Sequence, residues 1–326
     1  MTQESNQRLT KNERREAARA QAKAAREAQV KKEKRNRLFV QGGIVVGVLA
    51  VIAIIALVVT QMVKPAGPGP KNMASGGVVF EGENFEVRET PAIGDGEKLV
   101  AQEVNRETVP LDITIYVDFM CPACGAFEQE ASAMLEQWVG SGQATLQVYP
   151  VNFLDSQSKG TRYSTRAANA FACVAEQQPD AAWDYYRTLL SAEVQPAEGT
   201  TGLTNDRLLE VAVESGASDN RELRQCVQNV PFADFISKTN RLAFTGPLLG
   251  LEPDTVLADG RGGMLDADAD QHISGTPAII VNGQQAPSSP TELEQFMLKK
   301  FAELSGDTAE ADGDEGADAP EEDKKD

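Results

Sequence analysis

Histidine is almost absent from this chain. Its 326 residues hold His272 alone, beside four cysteines and two tryptophans. A structural zinc site wants two short-spaced ligand pairs. Only Cys121 and Cys124 are closely spaced, so a zinc site is not expected, and nothing in the sequence asks for another metal or a cofactor. Basic charge is scarce past the N-terminus. Up to Arg37 there are twelve Lys and Arg against five Asp and Glu, a surplus of seven, so the remainder carries a net −25 within the overall −18. Phosphate binding needs clustered cations, so nucleic acid is not an expected partner of the folded part. Also missing is a small-x-small cleavage pattern close behind the one long apolar run, which argues against a cleaved signal peptide.

That run covers residues 38–63 and is broken only by Gln41, Thr60 and Gln61. Twenty-six helical residues would extend about 39 Å, enough for a hydrocarbon core of roughly 30 Å. One transmembrane helix is therefore expected. Twelve basic residues precede it and only Lys64 and Lys71 flank its far side. The positive-inside rule then leaves residues 1–37 as a basic cytoplasmic tail and exports everything after the span, at the cell membrane. All four cysteines fall on the exported side, which suits an oxidising compartment.

Residues 64–77 contain three prolines and four glycines and read as a linker. Residues 78–107 read as extended structure with turns. A strand is expected over 111–119. A helix should follow, with Phe127, Ala131, Met134, Leu135 and Trp138 recurring at three- and four-residue steps. A second strand over 144–149 should lie parallel to the first, because a helix joins them. About 155–270 carries five helical faces and no clear strand. A strand at 278–281 meets the hairpin signal Asn282-Gly283 and should return near 284–287. Ser289, Pro290 and Glu292 form a capping signal for a last helix, buried through Leu293, Phe296, Met297, Phe301 and Leu304. Residues 305–326 hold ten acidic residues and two lysines. They read as a disordered, solubilising tail.

The chemistry concentrates in Cys121-Pro122-Ala123-Cys124, placed where a strand should give way to a helix. Two thiols at that spacing and junction form a redox switch. Thiolates, not thiols, attack disulfides. Unpaired N–H groups and the helix dipole should lower the Cys121 pKa, and Cys124, one turn on, should be the buried resolving thiol. Pro122 suits the first turn, where its missing N–H costs nothing. Cys173 and Cys226 remain as a second redox pair or a structural bridge. The apolar helical face around Cys226 favours the bridge, worth roughly 3–4 kcal/mol for a loop of some fifty residues.

Val117-Asp118-Phe119-Met120-Cys121-Pro122-Ala123-Cys124, the helical insertion and Ile273-Ser274-Gly275-Thr276-Pro277 together resemble the DsbA-like branch of the thioredoxin superfamily. The similarity runs from about 111 to 304, within a domain of 78–304, and the membrane-anchored layout is similar to the Gram-positive, especially actinobacterial, type. The resemblance implies an α/β, thioredoxin-like fold interrupted by a helical domain. It implies a cis Pro277 that exposes backbone edges to a client strand, with Thr276 beside the Cys121 sulfur. The best-known oxidants of this family have histidine where Ala123 stands, which leaves the strength of oxidation to the helix-terminal amides. Asp118 matches a common acidic position and reads either as a proton relay to Cys124 or as a solvated strand-end carboxylate. His272 reads as a plain loop residue.

The expected function is donation of the Cys121–Cys124 disulfide to reduced or unfolded exported proteins. The resemblance implies reoxidation by a quinone-linked membrane partner of the DsbB or VKOR-like kind. An extracytoplasmic reductase or isomerase is the second reading. A client-binding or chaperone module without turnover is the third.

Overall fold

A computed structural model describes residues 67–305 continuously, together with scattered helical positions from Glu16 to Arg35 and the helical pair Val51 and Ile52. Among the described residues, no helix is long and apolar enough to cross a membrane. The expected span at 38–63 lies outside them except for that pair, as do most of the basic tail and all but the first residue of the acidic tail.

Residues 67–305 fall within one compact unit. Its sheet has six strands: β1 (Val78–Glu81), β2 (Glu86–Val87), β3 (Leu111–Val117), β4 (Ala144–Pro150), β5 (Ala278–Val281) and β6 (Gln284–Ala286). The order across the sheet is β2-β1-β4-β3-β5-β6. β3 and β4 are parallel, with Ile113 beside Leu146 and Tyr116 beside Tyr149. The other neighbours are antiparallel. Helix α1 (Pro122–Gly140) joins the parallel pair, as a crossover must.

Alternation along the strands sorts the side chains to two faces. Leu111, Ile113, Ile115 and Val117 enter the larger core with α1 and the helical insertion. Tyr116, Tyr149 and Ile280 enter a smaller core on the other face with Ala243, Leu248 and Ile273.

The insertion consists of α2 (Tyr163–Gln177), α3 (Ala182–Leu189), α4 (Asn205–Glu214), α5 (Arg221–Asn229) and α6 (Ala233–Thr245). α2 is buried along most of its length and packs on the other four, burying a run of alanines together with Phe171, Cys173 and Val174 and the polar Ser164, Thr165 and Asn169. Thr204 and Asn220 cap α4 and α5 through side-chain oxygens. Cys173 on α2 and Cys226 on α5 are joined by a disulfide. Buried Asn169 stitches the same place, donating to the Cys226 carbonyl and accepting the Phe232 N–H.

Two expectations need correction. The linker does not extend to residue 77. The Gly69 N–H donates to the Ile93 carbonyl, Asn72 reaches the Ala175 carbonyl, and Met73 is fully buried. Backbone and side-chain hydrogen bonds, together with the buried Met73, anchor the stretch to the domain. The last helix, α7 (Pro290–Ser305), begins at the expected proline and buries Leu293 and Met297, but Leu304 is half exposed because the helix outruns the surface it packs on.

Candidate active site

β3 ends in a tight turn in which the Cys121 N–H donates to the Asp118 carbonyl at 2.9 Å. Cys121 is the N-cap of α1, in extended conformation, with Pro122 first in the helix. A cap residue faces amides that lack helical partners. Cys124, one turn later, is completely buried, while Pro122 and Ala123 are exposed. Both cysteines are free thiols. The loop before β5 closes over them. The Thr276–Pro277 peptide is cis, and the Cys121 thiol donates to the Thr276 carbonyl at 3.4 Å. The tertiary structure thus joins two motifs 155 residues apart.

The two thiols are driven in opposite directions. Cys121 falls from the usual 9.0 to about 6. The Cys124 thiol bonded to its sulfur is the largest cause, burial opposes it, and the Thr276 hydroxyl and the Cys124 and Ala123 N–H groups lower it further. The helix amides therefore act as expected but do not lead. The resolving thiol is itself the strongest donor to the thiolate. Cys124 is pushed well above the usual thiol value by burial and by its bond to Cys121. The surroundings therefore favour ionisation of Cys121 and keep Cys124 protonated.

Asp118 is not a solvated strand-end carboxylate. It is fully buried and accepts three hydrogen bonds, from the Met120 N–H at 2.8 Å, the Ser164 hydroxyl at 2.7 Å and the Leu154 N–H at 2.8 Å. Burial lifts its pKa to about 6 against those donors. It ties the redox turn to the loop after β4 and to the insertion. His272 touches the Ile273 carbonyl and none of these groups.

Three partners escaped the sequence reading. Ser164 sits 46 residues from Asp118 and carries no local signal. Gln195, which meets the Cys121 main chain, is equally silent. Glu128 did leave a signal, as an acid one turn past Cys124 on the apolar face of α1. It is buried, accepts the Tyr186 hydroxyl at 2.7 Å, and has its pKa lifted to about 7 by burial. An open groove of about 740 Å³ beside the redox loop is lined by Pro277, Val256, Met264 and Phe296 among others. Among the described residues no three His, Cys, Asp or Glu side chains converge as metal ligands.

Residues 106–245 match a family model described as Thioredoxin. Over 116 residues the chain is 33% identical to the serine/threonine-protein kinase PknE of Mycobacterium tuberculosis; this is 35% of the chain but 20% of that protein, so the chain spans about a fifth of the curated relatives it matches. The fold is similar to the reduced disulfide bond oxidoreductase DsbG of M. tuberculosis (27% identity, 60% of this chain, 78% of that one, TM-score 0.45). It is also similar to reduced DsbA of M. tuberculosis (25%, 72% and 94%, TM-score 0.47) and to oxidised BdbD of Bacillus subtilis (18%, 73% and 99%, TM-score 0.47). Together with the family-model match over residues 106–245, the Cys-Pro-Ala-Cys turn capping α1, the cis Thr276–Pro277 loop against it and the helical insertion between them make the chain similar to DsbA-like proteins of the thioredoxin superfamily, with two free thiols placed for thiol–disulfide exchange.

Proposed function

We propose that the chain is an extracytoplasmic oxidase of exported proteins, working by dithiol–disulfide exchange at Cys121 and Cys124. A client thiolate attacks the Cys121 sulfur of the oxidised pair. The Cys121–Cys124 bond breaks, a client–Cys121 mixed disulfide forms, and Cys124 leaves with the electron pair and takes a proton. A second client thiolate then attacks the client sulfur and expels Cys121 as a thiolate. Two electrons pass from the client dithiol to the pair.

The observation that carries this reading is the asymmetry of the two sulfurs. A thiol of low pKa leaves fastest, and Cys121 is the final leaving group. With its pKa near 6, about nine-tenths of Cys121 is ionised at pH 7. Against an ordinary thiol this stabilises the reduced state by about 1.4 kcal/mol, or about 30 mV toward an oxidising disulfide. The exposed Pro122 and Ala123 beside the redox pair and the open groove lined by Pro277 suit contact with an unfolded client. The apolar run at 38–63 and the charge asymmetry around it support a single-pass tether with residues 1–37 in the cytoplasm and the domain outside. Turnover then needs an electron acceptor in the membrane, for which a quinone-linked, DsbB or VKOR-like reoxidase is the fitting partner.

The test is the reduction potential of the Cys121–Cys124 couple, measured against glutathione. An oxidase should lie well above about −270 mV, the thioredoxin value. A potential at or below that value sinks the oxidase reading in favour of a reductase.

A further inference from the structure

Between α3 and α4 the chain returns over the first turn of α1. Gln129 of that helix ties down the start of the segment, donating to the Leu190 carbonyl at 3.3 Å. A turn follows in which the N–H groups of Val194 and Gln195 both donate to the Ser191 carbonyl. The turn sends the half-buried Gln195 side chain to the redox site. Its Nε2 donates to the Cys121 carbonyl at 2.9 Å and lies 3.5 Å from the Phe119 carbonyl. The Cys121 oxygen also accepts the N–H groups of Cys124 at 3.0 Å and Gly125 at 3.2 Å. Three donors therefore converge on the main chain of the residue whose sulfur takes part in exchange.

Gly125 shows how the carboxamide fits. It is the fourth residue of α1, where glycine is less favourable than alanine. Its backbone is not left-handed, so conformation does not require it. Space does. A Cβ at this position would overlap Gln195 Oε1 and stand 2.8 Å from Cδ. The glycine leaves a seat for one side chain from the insertion.

We propose that Gln195 is a positioning residue for the redox turn: seated over Gly125, its carboxamide holds the Cys121 main chain and so fixes the Cys121 sulfur at the start of α1, against the Thr276 carbonyl. The inference rests on the exchange chemistry proposed above. The N–H groups at the start of a helix favour an anionic sulfur held there. A disulfide offers them no charge. Loosening the grip therefore weakens the reduced, thiolate state more than the oxidised one, and the insertion acquires a direct influence on the redox pair.

The experiment uses the full chain and two variants that attack the contact from opposite sides. Gln195→Met keeps the length of the side chain and removes its donors. Gly125→Ala displaces the carboxamide while improving the helix, so loss of fold does not confuse the result. The Cys121 pKa is read from the pH dependence of iodoacetamide alkylation, and the potential from glutathione equilibrium. Each variant should raise the pKa by about half to one unit, the worth of one hydrogen bond, and make the potential more negative. The double variant should add little to either single change. Unchanged pKa and potential in both single variants overturn the proposal, even where melting temperature falls, because that pattern marks mere packing. An ordinary thiol pKa in the unmutated protein would instead overturn the exchange reading, a result the variants cannot mimic.

Discussion

Cys121 and Cys124 are three positions apart within one helical turn and remain thiols, whereas Cys173 and Cys226 are 53 apart, come from different helices and are joined. The first pair sits where a sheet ends and a helix begins, among unpaired amides, a cis-proline loop and an exposed rim. The second is wrapped by the insertion's own helices, with Asn169 bonded to the main chain beside it. Sulfur chemistry is common to both. Access and local charge are not. A thiolate needs donors and a path for its partner, and only the first pair has them. A buried bridge needs neither and contributes by restricting the unfolded chain.

The sharpest way to break this contrast is to remove sulfurs singly. Cys121→Ser should reduce disulfide transfer to a model dithiol peptide to background, and Cys124→Ser should accumulate client-linked species through Cys121 on non-reducing gels. Persistent transfer by Cys121→Ser would mean that Cys173 and Cys226 also exchange, and the contrast would fail.

Next comes stability. Replacing Cys173 and Cys226 together by alanine should cost about 3–4 kcal/mol in denaturant titration and leave the Cys121 pKa where it was. Equal destabilisation on removing Cys121 and Cys124 would erase the distinction.

A third effect belongs to the ground behind the first pair. Glu128 has its pKa raised from the usual 4.5 to about 7 by burial, so the fold favours its neutral form. Stability from this group is complete below about pH 4.5 and is lost as pH rises through 7, by on the order of 2–3 kcal/mol. Glu128→Gln stays neutral and should flatten that part of the profile, seen as a higher melting temperature than the parent at pH 8 and little difference at pH 4. Asp118, shifted the same way to about 6, keeps a smaller slope in both proteins. Parallel profiles for parent and variant would mean that Glu128 does not titrate in this range.

The smallest effect is the most specific to the pair. Cys121 is an acid whose pKa is depressed on folding, so its contribution to the reduced form is absent below about pH 6, grows above it and is complete near pH 9. At pH 7 the reduced protein should gain about 1.4 kcal/mol over the oxidised one relative to pH 5. Melting both forms across pH 5–9 reads this directly, and a constant difference would place Cys121 among ordinary thiols.

Local signals carried much of this architecture. The alternation of Leu111, Ile113 and Ile115, the apolar steps of α1 and the Asn282-Gly283 hairpin each depend on neighbours in sequence, and each element formed where expected. The five helices of the insertion were legible for the same reason. The boundary of the linker was not, since Met73 counts only once a core exists to receive it. The fate of Leu304 likewise depends on where the packing surface stops.

The amino-acid order alone determined that two thiols would share the start of a helix after a strand, and that a Thr-Pro step would precede a later strand. Whether those motifs met, which sulfur ionised, what Asp118 faced and what filled the space above Gly125 were decided by contacts between residues tens to hundreds of positions apart. Propensity and spacing act within a turn or two of chain, whereas burial and charge are properties of the assembled surroundings; the chemistry of this site belongs to the second kind.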